Sequence, residues 1–495
     1  MSIDRENVHL AQRRTKQNQN NKKRRWPLVV AGLSFMSASM GAAFAIFMTS
    51  KPLQQSALSA EEKAIFGDEN LTASALGVPK LTRPVNILVM GTIVLTSDLP
   101  GATDQNPGEY LAQVNSTLDG HSDAMLLVRF DPATNKITAL SIPRDSRVYI
   151  EEVGYSKINA ANYVGGAALA AQTVSDMLGD VTIDRYIRVN VGGFSQLIDA
   201  LGGVEVYVPK RMKYQDDSQH LYINLNEGMQ HLDGDKAVQY MRFRHDDLGD
   251  IGRIQRQQTL LRAIFEQKLN LETVSRIPEI VKVLKRNIDT NLSMQELLAL
   301  AAFGAQTDLE SAKMLMVPGR FSAPEEFPLS YWIVDEYSLP RLVSEHFDLP
   351  LQYAESYGSI EATTPQYIRV AIQDSIAEPD ATDLATDLLY ESGYDRVFRA
   401  EYDWHQPLEK TQIVAQQGDT TMAEQVRRDL GIGEVVVEST GSLESDVTVR
   451  IGRDWLELRR KSLSASQDEL ELESDDFDHS EGTIESDFNP VGYRS

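Results

Sequence analysis

The chain has 495 residues, enough for two or three domains, and carries 48 Lys and Arg against 72 Asp and Glu, a formal net charge of −24. An acidic balance of that size argues against a nucleic-acid-binding surface over the chain as a whole, while leaving room for a local basic cleft. There is no cysteine, which excludes disulfides, cysteine-ligated metals and cysteine nucleophiles.

Residues 1–25 are polar and basic, with Arg13, Arg14, Lys16 and the cluster Lys22 to Arg25. From Trp26 to Ser50 no residue is charged. This run of 25 residues is long enough to cross the hydrocarbon core of a bilayer, which needs about 20 residues. A cleaved signal peptide is the alternative, but its apolar region is usually ~7–15 residues. The basic cluster precedes the run, so the positive-inside rule predicts a single-pass plasma-membrane protein. Its N-terminus would be cytoplasmic and everything after Lys51 extracytoplasmic. A cytoplasmic part this short leaves no room for a helix-turn-helix domain.

Residues 51–82 read as a linker with a short helix around Ala60–Phe66. From Arg83 the pattern becomes globular. PVNILVMG is an apolar run ending in Gly91, as a buried strand would. A polar loop runs from Thr96 to His121, and DAMLLVRFD, KITALSIP and RVYI then read as strands. AANYVGGAALAAQTVSDMLG reads as a helix, IDRYIRVNV as a strand, FSQLIDALGG as a helix closed by glycine, and VEVYVP as a strand. Strands alternating with helices predict a layered α/β domain over residues 83–320, a sheet with helices on both faces. Residues 270–315 read as helical cover for one face, and 321–365 as a connecting region. A smaller α/β module is predicted over 366–456, and the acidic stretch 457–495 reads as disordered.

The stretch from Leu232 to Gln258, LDGDKAVQYMRFRHDDLGDIGRIQRQQ, concentrates the chemistry. Arg242 and Arg244, two apart on a segment reading as a strand, point the same way by alternation. Arg253, Arg256 and Gln257 open a predicted helix, where positions three and four apart share a face. Guanidinium is planar, permanently charged and matched to phosphate oxygens, so the turn reads as a pyrophosphate site. A salt-bridged surface turn is the alternative. Three further segments favour the site. HSD at 121–123 puts Asp123 at the mouth of a strand, SIPRD at 141–145 presents Arg144 and Asp145 at the carboxyl end of another, and SKIN at 156–159 puts Lys157 in a loop opening a helix. Ligands of open α/β sheets sit at such ends. Together these residues offer cations for charged oxygens, a carboxylate for a divalent metal and a candidate base, the parts of a phosphoryl-transfer site. His220, His231 and His245 lack metal-ligand spacing, and the pairs Gly165-Gly166, Gly192-Gly193 and Gly202-Gly203 read as turn and packing glycines.

With these residues in place, the chain resembles the LytR-CpsA-Psr family of cell-wall glycopolymer ligases. The resemblance rests on NILVMG at 86–91, SD at 122–123, SIPRD at 141–145, KIN at 157–159 and GGF followed by LIDALGGVEVYVP within 192–209. It continues through LDGDKAVQYMRFR at 232–244 and DIGRIQRQQ at 250–258, and the module ending SDVTVRIGRDW looks like the family's accessory C-terminal domain. The resemblance implies a phosphotransferase outside the plasma membrane. Its substrate would be a polyprenyl-pyrophosphate-linked glycan, its acceptor peptidoglycan or another envelope polymer, and its cofactor a magnesium-type ion (Mg2+ or Mn2+). It also implies that Arg144, Lys157, Arg242, Arg244, Arg253 and Gln257 bind the pyrophosphate, that Asp123 ligates the metal, and that Asp250 is a base for the acceptor hydroxyl. Arg144, Arg244 and Asp250 are then the residues expected to carry catalysis.

Two departures stand out. Where the family has a second metal-binding aspartate after its first motif, this chain has Gly91-Thr92-Ile93, and isoleucine offers no oxygen to a hard cation. Asp98, in the loop beyond, is the candidate substitute. Where the family has arginine before the SD pair, this chain has His121, expected to contact the pyrophosphate but a cation only when protonated. The missing carboxylate at Ile93 keeps open a protein that holds polyprenyl phosphates without turning them over, and the resemblance leaves a membrane-anchored regulator, or attenuator, as a further alternative.

Overall fold

The computed structural model describes residues 55–67, 70–73, 79–93, 118–217, 221–243, 249–266, 280, 282–307, 312–349, 364–416, 420–438, 440–442 and 444–457. The basic segment 1–25, the apolar run 26–50 and the acidic stretch 458–495 lie outside them. No helix among the described residues is long and apolar enough to cross a membrane. The short helix expected in the linker is present as Ala60–Ala64, closed at its start by a capping box between Ser59 and Glu62.

The first domain begins with β1 (Val85–Ile93), β2 (His121–Asp131) and β3 (Lys136–Ile142), then a hairpin of β4 (Arg147–Ile150) and β5 (Gly154–Lys157). Helix α1 (Ala160–Met177), β6 (Arg185–Asn190) and α2 (Val191–Leu201) follow. Four short strands, β7 (Val204–Val208), β8 (Met212–Asp216), β9 (Leu221–Leu225) and β10 (Gly228–Leu232), precede α3 (Gly234–Arg242) and α4 (Gly249–Glu266). Then come β11 (Ile288–Thr290), α5 (Met294–Gln306), β12 (Ala312–Met316), the paired strands β13 (Gly319–Phe321) and β14 (Trp332–Val334), and α6 (Ser338–Phe347).

The main sheet has the order β11–β6–β1–β2–β3–β12. β2 runs antiparallel to both β1 and β3, while β6 and β12 pair parallel to β1 and β3. Alternation along β1 sets the layers. Leu88 and Met90 join a core with α1 and α6, whereas Val85 and Ile87 pack toward Leu297 and Leu300 of α5 on the other face. Helices therefore cover both faces, as the sequence predicts. A second core joins α2, β7 to β10, α3 and α4 around Val206, Ile223, Tyr240 and Leu260. Among the glycine pairs, Gly202 ends α2 in the left-handed region, and Gly166 (φ 62°) breaks α1 at a kink.

Two expectations change. Residues 270–315 are not helical throughout, because Ile288–Thr290 and Ala312–Met316 are the two edge strands of the main sheet. A short apolar segment such as AKMLM carries no period that separates strand from helix. The connecting region is also shorter than 321–365. Leu339, Leu342, Val343 and Phe347 of α6, spaced at three, four and eight, bury themselves in the main core, so the domain runs through Phe347.

The C-terminal module contains β15 (Arg369–Asp374), α7 (Pro379–Glu391), β16 (Arg396–Arg399), β17 (Gln412–Ala415), α8 (Thr420–Leu430), β18 (Glu434–Val437) and β19 (Val447–Ile451). Its five-stranded sheet has the order β16–β15–β19–β17–β18 and a core of its own around Ile372, Ala385, Ile413, Val426 and Trp455.

Candidate functional site

A cavity of about 440 Å3 opens between the main sheet and the layer made by α4 and β8–β9. One wall is apolar, with Val89 and Leu126 from the sheet, Phe194 from α2, and Leu260, Leu261 and Ile264 from α4. The other end is polar, built from Asp123, Arg144, Arg242, Arg253 and Gln257.

The polar end follows from how the strands finish. Pro143 has no N–H for the ladder, so β3 stops at Ile142 and the chain turns. Ser146 closes that turn with its N–H and its hydroxyl, both donating to the Pro143 carbonyl at 3.0 and 2.7 Å. The turn exposes Arg144 to the cavity and holds Asp145 inside, 6% exposed. Asp145 lies 2.7 Å from Lys157 Nζ, 3.4 Å from Arg144 Nε and 3.7 Å from an Arg253 guanidinium nitrogen. Burial pushes its carboxyl pKa up, but Arg144, Lys157 and Arg253 outweigh burial and hold it below the usual carboxylate value. Arg144 also donates to Asp123 Oδ1 at 2.6 Å. Asp123 reaches it through a β-bulge. Gly91 pairs with Ala124 and Thr92 with Ser122, so Asp123 is the extra residue on β2. Without it, alternation would put Asp123 on the face of Met125 and Leu127, which belong to the main core.

Asp123, Arg144, Lys157 and Arg253 are therefore brought together around Asp145. Arg242 and Gln257 line the same cavity. His121 begins β2 but is not on the cavity wall, and its ring stacks on Tyr163 with centroids 5.0 Å apart. Arg244, His245 and Asp98 lie outside the described residues. Asp250 lies in the first turn of α4 and Ile93 ends β1, and for both only the backbone is described.

Two placements differ from the sequence reading. Arg242 lies on a helix rather than a strand. The Asp233 side chain caps α3 by accepting from the Lys236 N–H at 2.9 Å, and Ala237 and Tyr240, three apart, are the buried side. The short alternation in YMRFR mimics a strand and loses to that cap. Lys157 likewise ends strand β5, opposite Arg147, instead of lying in a loop. Arg256 serves the fold, since its guanidinium donates to the Phe243 carbonyl and lies 5.3 Å over the Phe243 ring.

Sequence reasoning missed Gln258. It lines the cavity at 3% exposure, and neither end of its amide has a hydrogen-bond partner among the described residues. Adjacent Gln257 and Gln258 are indistinguishable by type, and only the roll of α4 shows that both reach the wall. Among the described residues no three His, Asp or Glu side chains gather as a metal cage. Two carboxylates line the cavity, Asp216 on β8 and Asp123, and of these Asp123 lies beside Arg144 and is the one a hard cation at the phosphate-binding end would take.

The LytR_cpsA_psr family model matches residues 48–347, and the model described as "LytR cell envelope-related transcriptional attenuator" matches residues 367–455. The chain is 32% identical over 296 residues to the Oceanobacillus iheyensis protein named polyisoprenyl-teichoic acid–peptidoglycan teichoic acid transferase TagU, covering 58% of this chain and 83% of that protein. It is 35% identical over 188 residues to the Bacillus subtilis transferase of the same description, TagV, covering 37% of this chain and 47% of that protein. Biofilm regulatory protein A of Streptococcus mutans is 30% identical over 258 residues, 50% of this chain and 60% of that protein. The chain thus spans from about half to about four-fifths of the length of these relatives. The crystal structure of B. subtilis TagV superposes with a TM-score of 0.43 at 28% identity, covering 54% of this chain and 98% of that one. The chain belongs to the LytR-CpsA-Psr family.

Proposed function

We propose that this protein is an extracytoplasmic phosphotransferase. It moves a glycan phosphate from a polyprenyl-pyrophosphate carrier to peptidoglycan or another envelope acceptor. The carrying observation is one cavity whose apolar wall runs directly into a cluster of guanidiniums. A polyprenyl pyrophosphate has the same two parts in the same order. The names of TagU and TagV point to the same class of reaction. In the same reading residues 26–50 cross the plasma membrane and leave residues 1–25 in the cytoplasm.

In the reaction, an acceptor hydroxyl oxygen attacks the phosphorus that bears the glycan. The bond from that phosphorus to the bridging oxygen breaks, and its electron pair leaves with polyprenyl phosphate. Arg144, Arg242, Arg253 and Lys157 carry the negative charge spread over the phosphoryl oxygens, with Arg244 assigned to the same set from the sequence. Gln257 and Gln258 supply amide donors to the phosphate oxygens. Asp250, at the start of α4, takes the hydroxyl proton. A bound Mg2+ or Mn2+ would supply Lewis acidity at the phosphates. Asp123 would hold it, with Asp98 as the candidate second carboxylate.

The test is turnover of a glycan-bearing polyprenyl pyrophosphate by the full chain, with Arg144→Ala beside it. The variant should lose about 10²–10³-fold in kcat/KM, the scale for removing one preorganised donor to a developing charge. Wild-type-like turnover by Arg144→Ala would sink the reading. One observation favours a second reading, a carrier-binding protein without turnover. Ile93 replaces a carboxylate expected from the resemblance, and Asp123 already accepts a hydrogen bond from Arg144 at 2.6 Å. Magnesium-independent retention of the carrier, with no phosphate transfer, would select it.

A further inference from the structure

The hairpin of β4 and β5 carries a ladder of side chains of which the reaction above uses only Lys157. In its register Arg147 lies opposite Lys157, and Tyr149 lies opposite Tyr155. Directly opposed residues and residues two apart share a face of a strand pair. Val148 and Ile150 point the other way, into the main core. The outward face therefore reads, from the cavity end, Arg147 and Lys157, then Tyr155 and Tyr149. Lys157 is bound to the site through Asp145 at 2.7 Å. Arg147 lies 4.3 Å over the Tyr155 ring, so the cations and aromatics form one continuous surface.

The outer pair stays open. Tyr149 is 62% exposed and Tyr155 65%, with ring centroids 5.7 Å apart and planes at 79°. Phe327 and Tyr331 flank the inner pair, Phe327 lying 4.7 Å from Arg147 and Tyr331 lying 5.8 Å from Lys157 Nζ. Successive pairs on one face of a hairpin are about 7 Å apart. A group attached to a phosphate at Lys157 thus meets the tyrosines within one or two sugar lengths.

The chemistry of the row selects its occupant. A lipid chain needs enclosure, which the cavity gives and this open face does not. A pyranose ring has an apolar C–H face and a rim of hydroxyls. A tyrosine offers the matching apolar ring and a polar tip, and guanidinium and ammonium groups beside it donate to hydroxyls. Aromatic side chains this exposed and grouped beside a charged cleft mark a binding surface.

We propose that the outward face of the β4–β5 hairpin is a sugar platform, on which Tyr149 and Tyr155 stack the pyranose rings nearest the reacting phosphate. This rests on the phosphotransferase reading. It identifies where the polymer, rather than the lipid, is recognised. Donor and acceptor glycans share that chemistry, and the test separates them.

The experiment compares the full wild-type chain with Tyr149→Ala/Tyr155→Ala and with Tyr149→Phe/Tyr155→Phe. Titration calorimetry uses a disaccharide 1-phosphate and, separately, inorganic phosphate. The alanine pair should weaken the disaccharide phosphate about tenfold and leave inorganic phosphate unchanged, while the phenylalanine pair retains most of the affinity. In turnover, a KM that rises for a glycan-bearing donor but not for sugar-free polyprenyl pyrophosphate assigns the platform to the donor. A rise confined to the acceptor KM assigns it to the acceptor. Equal affinity of all three proteins for the disaccharide phosphate overturns the proposal, as does loss of binding to anionic vesicles with sugar affinity intact. Wild-type protein that binds the sugar phosphate but transfers nothing would overturn the phosphotransferase reading and leave the platform standing.

Discussion

At the scale of single residues, the decisive group is Asp145, a buried carboxylate facing Arg144, Lys157 and Arg253. It keeps three cations close together. Their charges would otherwise repel one another at the polar end of the cavity. Removing the carboxylate while keeping the shape, Asp145→Asn, strips the counter-charge that Arg144, Lys157 and Arg253 share, although Arg144 keeps Asp123, and should cost about 3 kcal/mol, the lower end for breaking a buried pair. The pH dependence has a definite sign. The folded pKa of Asp145 is lowered, so its stabilisation is complete above the ordinary carboxylate value and is lost as pH falls through the lowered one. Wild-type stability should therefore be flat with respect to this group from about pH 5 to 8 and fall below about pH 4. Denaturant midpoints measured from pH 2 to 8 check both points. The asparagine variant should start lower and lose less on acidification, and parallel curves would show that Asp145 is not the group responsible.

At the scale of elements, the position of Arg242 depends on how closely α3 can approach α2. Gly234 opens α3, and a Cβ there would lie 2.1 Å from the Ser195 carbonyl oxygen on α2. The Ser195 hydroxyl, at 2.5 Å, could rotate away, but the Ser195 carbonyl oxygen and carbon are backbone, so backbone would have to move. Gly234→Ala should cost about 1–3 kcal/mol, as overpacking does, and should raise the KM for the proposed polyprenyl-pyrophosphate substrate by displacing Arg242. Unchanged denaturation midpoints and KM would show that α3 can shift without consequence. This contact also marks the limit of what the chain shows as letters. Arg144 and Asp145 were legible because a strand ending in proline has one place to put its next residues. The strand–helix alternation of residues 83–208 was legible because its periods are long. The helix under Arg242 was not, because a five-residue alternation outweighed a cap nine residues upstream. The bulge that turns Asp123 toward Arg144 leaves no mark in composition or period. Neither does the open outer face of a four-residue strand pair, which only register and exposure reveal.

At the scale of the whole molecule, α4 joins the two domains. One side of it, with Arg253, Gln257, Leu260 and Ile264, lines the cavity. A different side faces the C-terminal module, where Gln255 donates to the Gly441 carbonyl at 3.0 Å and Arg262 pairs with Glu438. Glu438 also pairs with Arg450, which is wholly buried, lies 3.5 Å over the Trp404 ring and donates to Thr440 at 2.7 Å. Tyr207 and His405 stack across the same junction at 4.7 Å. One carboxylate therefore satisfies a buried guanidinium inside the module and a second guanidinium on the helix that builds the site. Glu438→Ala strips a partner from both. Leaving Arg450 buried without its counter-charge should destabilise the protein by about 3–5 kcal/mol, whereas Arg262→Met leaves the Glu438–Arg450 pair intact and removes only the ion pair across the junction. Chemical denaturation followed separately by Trp404 fluorescence and by turnover distinguishes these effects. The alanine variant should lower the midpoint of the module's transition, and Arg262→Met should spare that transition while weakening the docking of α4. Identical curves for Glu438→Ala and wild type would mean that Arg450 is held by Trp404, Gln373, Gln412 and Thr440 without the carboxylate, and that the two domains are joined chiefly by packing.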